Sequence, residues 1–156
     1  METVIRNFQD NQVAEIKLSY SHAVKPSLMP RIISSNDASR LFRENWDEDN
    51  LQFIEEFKVM LVSRCNKVIG ICNIAKGGTS CVTVDIKLLM AAAIKGVASG
   101  LILAHNHPSG NLKSSEQDRR LTARVSDACR LFDITLLDHI ILTAESYYSF
   151  ADEGLL

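Results

Sequence analysis

No run among the 156 residues is apolar for long enough to cross a bilayer as a helix. The opening METVIRNFQD also lacks the basic n-region and apolar h-region of a secretory leader. The expected location is therefore the cytoplasm, and no membrane partner is expected. An excess of one charge sign is missing as well. Seventeen basic and 19 acidic side chains leave a formal charge of −2, which argues against tight electrostatic binding of duplex DNA by the whole surface. There is no internal repeat, no low-complexity tract and no C-x-x-C pair. The four cysteines, Cys65, Cys72, Cys81 and Cys129, are widely spaced and read as free thiols acting as small buried hydrophobes. What is there suits a globular protein: 46% hydrophobic and 23% charged residues, with too little net charge for disorder. The length predicts one compact unit that can bury a core without staples.

Hydrophobic period gives a coarse order of elements. Residues 11–21 alternate, with Ala14, Ile16, Leu18 and Tyr20 on one face, as in a half-buried strand. Pro26 and Pro30 mark 22–33 as a connector. Ser34, Ser35, Asn36 and Asp37 offer caps for a helix to about Trp46, and 46–50 reads as a polar break. Strands Phe57–Ser63 and Lys67–Ala75 flank a turn at Arg64–Asn66 and predict a hairpin. Asp85 can cap a helix to about Ser99, buried on most sides, with Gly100 as its stop. Leu101–Ala104 reads as a central strand, Ser115–Phe132 as a helix, and Ile134–Thr143 and Tyr147–Phe150 as closing strands. Helices alternating with strands, plus the early hairpin, predict a mixed α/β protein with a central sheet flanked by helices.

The central strand runs straight into His105-Asn106-His107-Pro108. Residues two apart on an extended chain point to the same side, so the two imidazoles can share one metal ion. A turn through Pro108 and Gly110 lets the next helix return Asp118 toward them, giving three protein ligands and a fourth position for water. The same Ser115-x-x-Asp118 is also a capping-box pattern, which needs no metal.

His105, His107, Pro108, Ser115 and Asp118 together spell H-x-H-P-x6-S-x-x-D. That pattern resembles the JAMM (MPN+) zinc metalloprotease motif. LILAHNHPSGNLKSSEQD, LLDHIIL and YYSFADEGLL resemble its RadC-like branch in particular, over about Leu51 to Leu156. The resemblance implies a cytidine-deaminase-like JAB/MPN fold over 51–156, and the residues of 1–50 read as a strand, connector and helix packed on it. It implies Zn²⁺ on His105, His107 and Asp118, and an upstream glutamate as general acid/base. Glu55 and Glu56 are the candidates, and the RadC-like placement two residues before Phe57 favours Glu55. The implied reaction is hydrolysis of an amide or isopeptide bond in a protein or peptide. Zinc lowers the pKa of a bound water from ~15.7 toward about 7, and a nearby carboxylate can move the proton. Ser115 can donate to the developing oxyanion, a contact whose loss typically costs about 10²–10³ in turnover.

Asp138 and His139 face opposite sides of an extended strand, so they cannot both face a metal. A hydrogen-bonded structural histidine is the first reading of His139, and a supporting or substrate contact the second. His22 reads as a loop histidine. Lys113, Arg119, Arg120, Arg124 and Arg130 read as a solvated basic face, with an acidic partner or nucleic acid as the alternative. The competing class is a metal-stabilised binding module without turnover, in DNA repair or a mobile-element pathway. The DNA link has little support, since 1–50 shows no paired helices with a glycine hairpin. The histidines of HNH nucleases are dispersed rather than adjacent, and no H-x-E with P-C-x-x-C suggests a zinc deaminase. A homodimer through exposed pairing of the first strand is compatible with the sequence.

Overall fold

The computed structural model describes the backbone of residues 2–8, 11–79 and 81–156, and side chains from residue 17 onward except residue 80. The chain opens with an antiparallel hairpin of β1 (Glu2–Phe8) and β2 (Asn11–Lys17), paired from Phe8–Asn11 to Glu2–Lys17. The sequence pattern gives no sign of β1 and extends β2 four residues too far, to 21 rather than Lys17. Lys17 pairs with the first residue of β1, so the chain beyond has no partner strand, and Leu18 and Tyr20 are exposed. The inward side expected of Ala14 and Ile16 lies outside the described side chains. One edge of β2, expected to be open to a second copy, is taken by β1.

The connector holds a single 3-10 turn at Pro26–Leu28. Helix α1 (Ser35–Glu44) starts where Ser34 Oγ accepts the Asp37 N–H at 3.2 Å. The stretch expected to be a polar break carries a one-turn helix, α2 (Glu48–Leu51), capped by Asp47. Four residues are too few to show a period, so α2 has no sequence signature.

The main sheet has the order β4 (Val68–Lys76), β3 (Glu56–Val62), β5 (Gly100–Asn106), β6 (Thr135–Leu142), β7 (Tyr147–Ser149). Only β5 and β6 pair in parallel, and the other neighbours are antiparallel. Helix α4 (Glu116–Arg130) connects that parallel pair, as such a connection requires. The expected mixed central sheet flanked by helices is therefore present. Each strand of the centre alternates between two cores. Met60, Val62, Ile102, Ala104, Ile140 and Leu142 pack with Phe42 and Trp46, at α1. Phe57, Val59, Leu61, Leu101 and Leu103 pack under α3 (Ile86–Lys95) and α4. Both faces of β5 are covered, which is why its sequence is a continuous apolar run.

Helix α3 departs from expectation twice. It ends at Lys95, with Gly96 as the C-cap, and the chain turns through Val97 at φ 51° while the Ala98 N–H reaches Ala93 O. Gly100 instead opens β5, where a Cβ would stand 2.9 Å from both Leu137 Cδ1 and Val62 Cγ2. Nor is α3 buried on most sides, because Leu88 and Ile94 are half exposed. Of the cysteines, only Cys129 is buried, while Cys65 and Cys81 are exposed and Cys72 is intermediate. No helix among the described residues is long and apolar enough to cross a membrane.

Candidate metal centre

Strand alternation sets the site. On β3, Phe57 lies under α3 and α4, and Glu55, two residues earlier, lines the same side's cavity. On β5, Leu101 and Leu103 lie on that side and His105 follows them, 3% exposed. The ladder continues one residue past β5, where the His107 N–H donates to Leu142 O at 2.8 Å, so His107 follows His105 on the same face. A turn then closes with the Gly110 N–H on His107 O, and Gly110 takes φ 78°, a left-handed backbone that favours glycine.

The loop ends at Ser115, the N-cap of α4. Ser115 Oγ accepts the Asp118 N–H at 3.1 Å, and the Ser115 N–H donates to Asp118 Oδ2 at 2.6 Å. The cap and the candidate ligand are thus one device: the capping box holds the Asp118 carboxylate in place. Asp118 Oδ1 stands 3.4 Å from His105 Nε2, and Oδ2 stands 3.8 Å from His107 Nε2. The two Nε2 atoms are 3.0 Å apart.

These three side chains form a group whose donor atoms all lie within 4.8 Å of one another. Bonds of about 2.0–2.1 Å at a tetrahedral angle would separate neighbouring donors by roughly 3.3–3.4 Å. The 3.0 Å between the two Nε2 atoms, and the 3.4 and 3.8 Å by which the two Asp118 oxygens each approach one imidazole, bracket that value. Protons support the same fit. His107 Nδ1 lies 2.6 Å from Asn111 O, a carbonyl that can only accept, so Nδ1 carries a proton and the neutral form of the ring has its lone pair on Nε2, facing inward. A lone pair and a carboxylate turned toward one another are what a divalent cation relieves. Among the described residues, no fourth His, Cys, Asp or Glu joins the group.

The group opens into a cavity of about 600 Å³. Glu55 lines it, held through its backbone by the Glu55 N–H on Gly78 O and the Gly77 N–H on Glu55 O. Burial raises the Glu55 carboxyl above its ordinary value, with His107 opposing and Asp118 adding to the rise. Glu56 points to the other face. Its Oε1 accepts from Asn50 at 3.0 Å, and Lys58 and Lys76 approach its carboxylate at 3.8 Å. Burial also pushes His105 down to about 4, with Asp118 opposing and His107 adding, which keeps the ring neutral. The basic run is divided. Lys113, Arg120 and Arg124 line the cavity, whereas Arg119 and Arg130 border a separate depression near Leu155.

The sequence does not single out Asn106 or Thr122, and it reads His139 first as a structural, hydrogen-bonded histidine, with a supporting contact as the alternative. Asn106 supports the segment before β3 from the opposite face of β5. Thr122 and His139 touch the His105 side. For Thr122 the available signal was its i+4 spacing from Asp118, one helical turn on.

A mixed sheet with helices on both faces, and a His-x-His and Asp group at the end of its central strand, defines a JAB/MPN-like fold with a candidate metal centre. The RadC-like JAB domain family matches residues 32–155, and the chain belongs to that family. A UPF0758 protein of Flavobacterium johnsoniae is 43% identical over 101 residues, covering 65% of this chain and 44% of the relative. One from Porphyromonas gingivalis is 47% identical over 103 residues, 65% of this chain and 45% of the relative. A third, from Alkaliphilus metalliredigens, is 35% identical over 128 residues, 81% and 53% of the two chains. The chain thus spans about half the length of the curated relatives it matches.

Proposed function

We propose that this chain is a zinc-dependent hydrolase of amide or isopeptide bonds, acting on a protein or peptide. The observation that carries the reading is Glu55 lining the same open cavity as His105, His107 and Asp118. Zinc held by those three side chains would supply Lewis acidity and would lower the pKa of a water toward about 7. Glu55 takes the proton of the attacking water and returns it to the leaving amine. Ser115 donates its hydroxyl hydrogen to the developing oxyanion. Its cap role uses only an oxygen lone pair, so the two roles do not compete. Asp118, held by the Ser115 N–H, keeps its carboxylate turned to the histidines.

The test is a structure of the zinc-loaded chain together with a screen of peptide and isopeptide-linked substrates. Zinc on the three side chains, cleavage by wild type, and loss of cleavage in a Glu55→Gln variant that still holds zinc are expected. Wild type without zinc, or Glu55→Gln as active as wild type, overturns the reading. A fourth side chain closing on the metal favours the metal-stabilised binding module.

A further inference from the structure

His139 is fully buried on β6, beside β5 and on the face that carries His105. Its ring is held on both sides. Phe150 stacks on it at 4.8 Å between centroids, and Phe57 meets it edge-on at 5.6 Å. Its two nitrogens each have one close partner. Nε2 lies 2.8 Å from His105 Nδ1, and Nδ1 lies 2.7 Å from Thr122 Oγ1. Thr122 Oγ1 in turn lies 2.6 Å from the backbone oxygen of Asp118.

Only one placement of protons on neutral rings satisfies all three contacts. A carbonyl oxygen accepts and never donates, so the single Thr122 hydroxyl hydrogen goes to Asp118 O. Thr122 Oγ1 can then only accept from His139, which puts a proton on His139 Nδ1. His139 Nε2 is left with a lone pair and must accept from His105 Nδ1–H. His105 Nε2 therefore carries no proton and turns its lone pair toward Asp118 Oδ1. The chain begins at the backbone of one candidate ligand and ends at the ring of another.

We propose that Thr122 and His139 are positioning residues that fix the metal-binding tautomer of His105 and tie its ring to the helical turn bearing Asp118. The proposal rests on the reading of His105, His107 and Asp118 as zinc ligands. Partners of this outer kind orient a ligand and keep its lone pair available, and their loss typically costs about 10–100-fold in metal affinity. A helical Thr bonded to the carbonyl one turn back is usually a local matter. Here the same hydroxyl also receives the histidine proton.

The test has one arm without metal and one with it. Long-range ¹H–¹⁵N spectra of the zinc-free chain at neutral pH report which nitrogen of each histidine is protonated. Wild type and Thr122→Ser are expected to show His105 and His139 as Nδ1–H tautomers. Thr122→Val, close in shape but unable to accept, is expected to lose the single His139 tautomer. Zinc competition against a chromophoric chelator should show affinity about 10–100-fold weaker in Thr122→Val and restored in Thr122→Ser. Wild-type His105 protonated on Nε2 overturns the proposal and needs no variant to fold. Thr122→Val with wild-type zinc affinity also overturns it. Wild type with the expected tautomers but no zinc binding overturns the metal reading instead.

Discussion

At the end of β5, neighbouring residues face opposite sides of the sheet and meet different surroundings. His105 turns toward α4, where its neighbours are His107, Asp118 and His139. Asn106 turns toward α2 and is completely buried. Its Oδ1 accepts the Glu56 N–H at 2.7 Å, and its Nδ2 donates to Leu51 O at 2.9 Å and Ile54 O at 2.8 Å. One face therefore gathers groups whose lone pairs converge, while on the other the Asn106 amide holds a backbone segment with both its oxygen and its nitrogen. That segment carries Glu55. β3 repeats the division, with Glu55 and Phe57 on the first side and Glu56 and Lys58 on the second. The pleat thus lets a single strand end supply both the candidate ligands and the support for the candidate proton carrier.

The largest expected effect breaks the first face alone. His107→Ala should lower zinc affinity beyond the ~10–100-fold typical of outer partners. Chelator competition measures it, and unfolding in urea without zinc should change far less. The converse is a core truncation on the second face. Phe42 is fully buried there, and Phe42→Ala should cost about 3–5 kcal/mol in urea unfolding. Asn106→Ala sharpens the contrast. It strands the Glu56 N–H and the Leu51 and Ile54 carbonyls, for about 1–3 kcal/mol of stability. Amide exchange over 50–56 should quicken while zinc affinity holds, and an unchanged exchange pattern would deny the clamp. Ser115→Ala removes a cap that also steadies Asp118, at about 1 kcal/mol by the same unfolding measurement.

The smallest effect is a pH dependence on the second face. Burial raises the Asp138 carboxyl, with hydrogen bonds from Ser149, Ala151 and His139 opposing. A carboxyl raised on folding contributes stability that is full below its unfolded pKa and is lost as pH rises through the folded value. Zinc-free wild type should therefore gain on Asp138→Asn as pH falls across that window, in urea titrations at stepped pH.

Much of this architecture was legible because it rests on short-range regularities. Short apolar runs bounded by turns located β3, β4 and β6, and Asp85, Ser34 and Ser115 cap the helices as their side-chain chemistry predicts. The hidden parts depended on partners. Strand β2 ends opposite the start of β1, α2 is a single turn, and Gly100 is small because Leu137 and Val62 converge on it. Leu88 and Ile94 look like core residues to any hydrophobicity count, yet their side of α3 meets no layer among the described residues.

The sequence by itself determined that His105 and His107 share a side and that Asp118 sits in the first turn of a helix, since both follow from backbone period. Only the tertiary structure decided that those ligands meet, that Glu55 rather than Glu56 lines their cavity, and that His139 and Thr122 stand behind His105. The physical reason is that strand pairing and helix packing bring β3, β5, β6 and α4 to one point. No local pattern encodes the distance between residues 55, 105, 118 and 139.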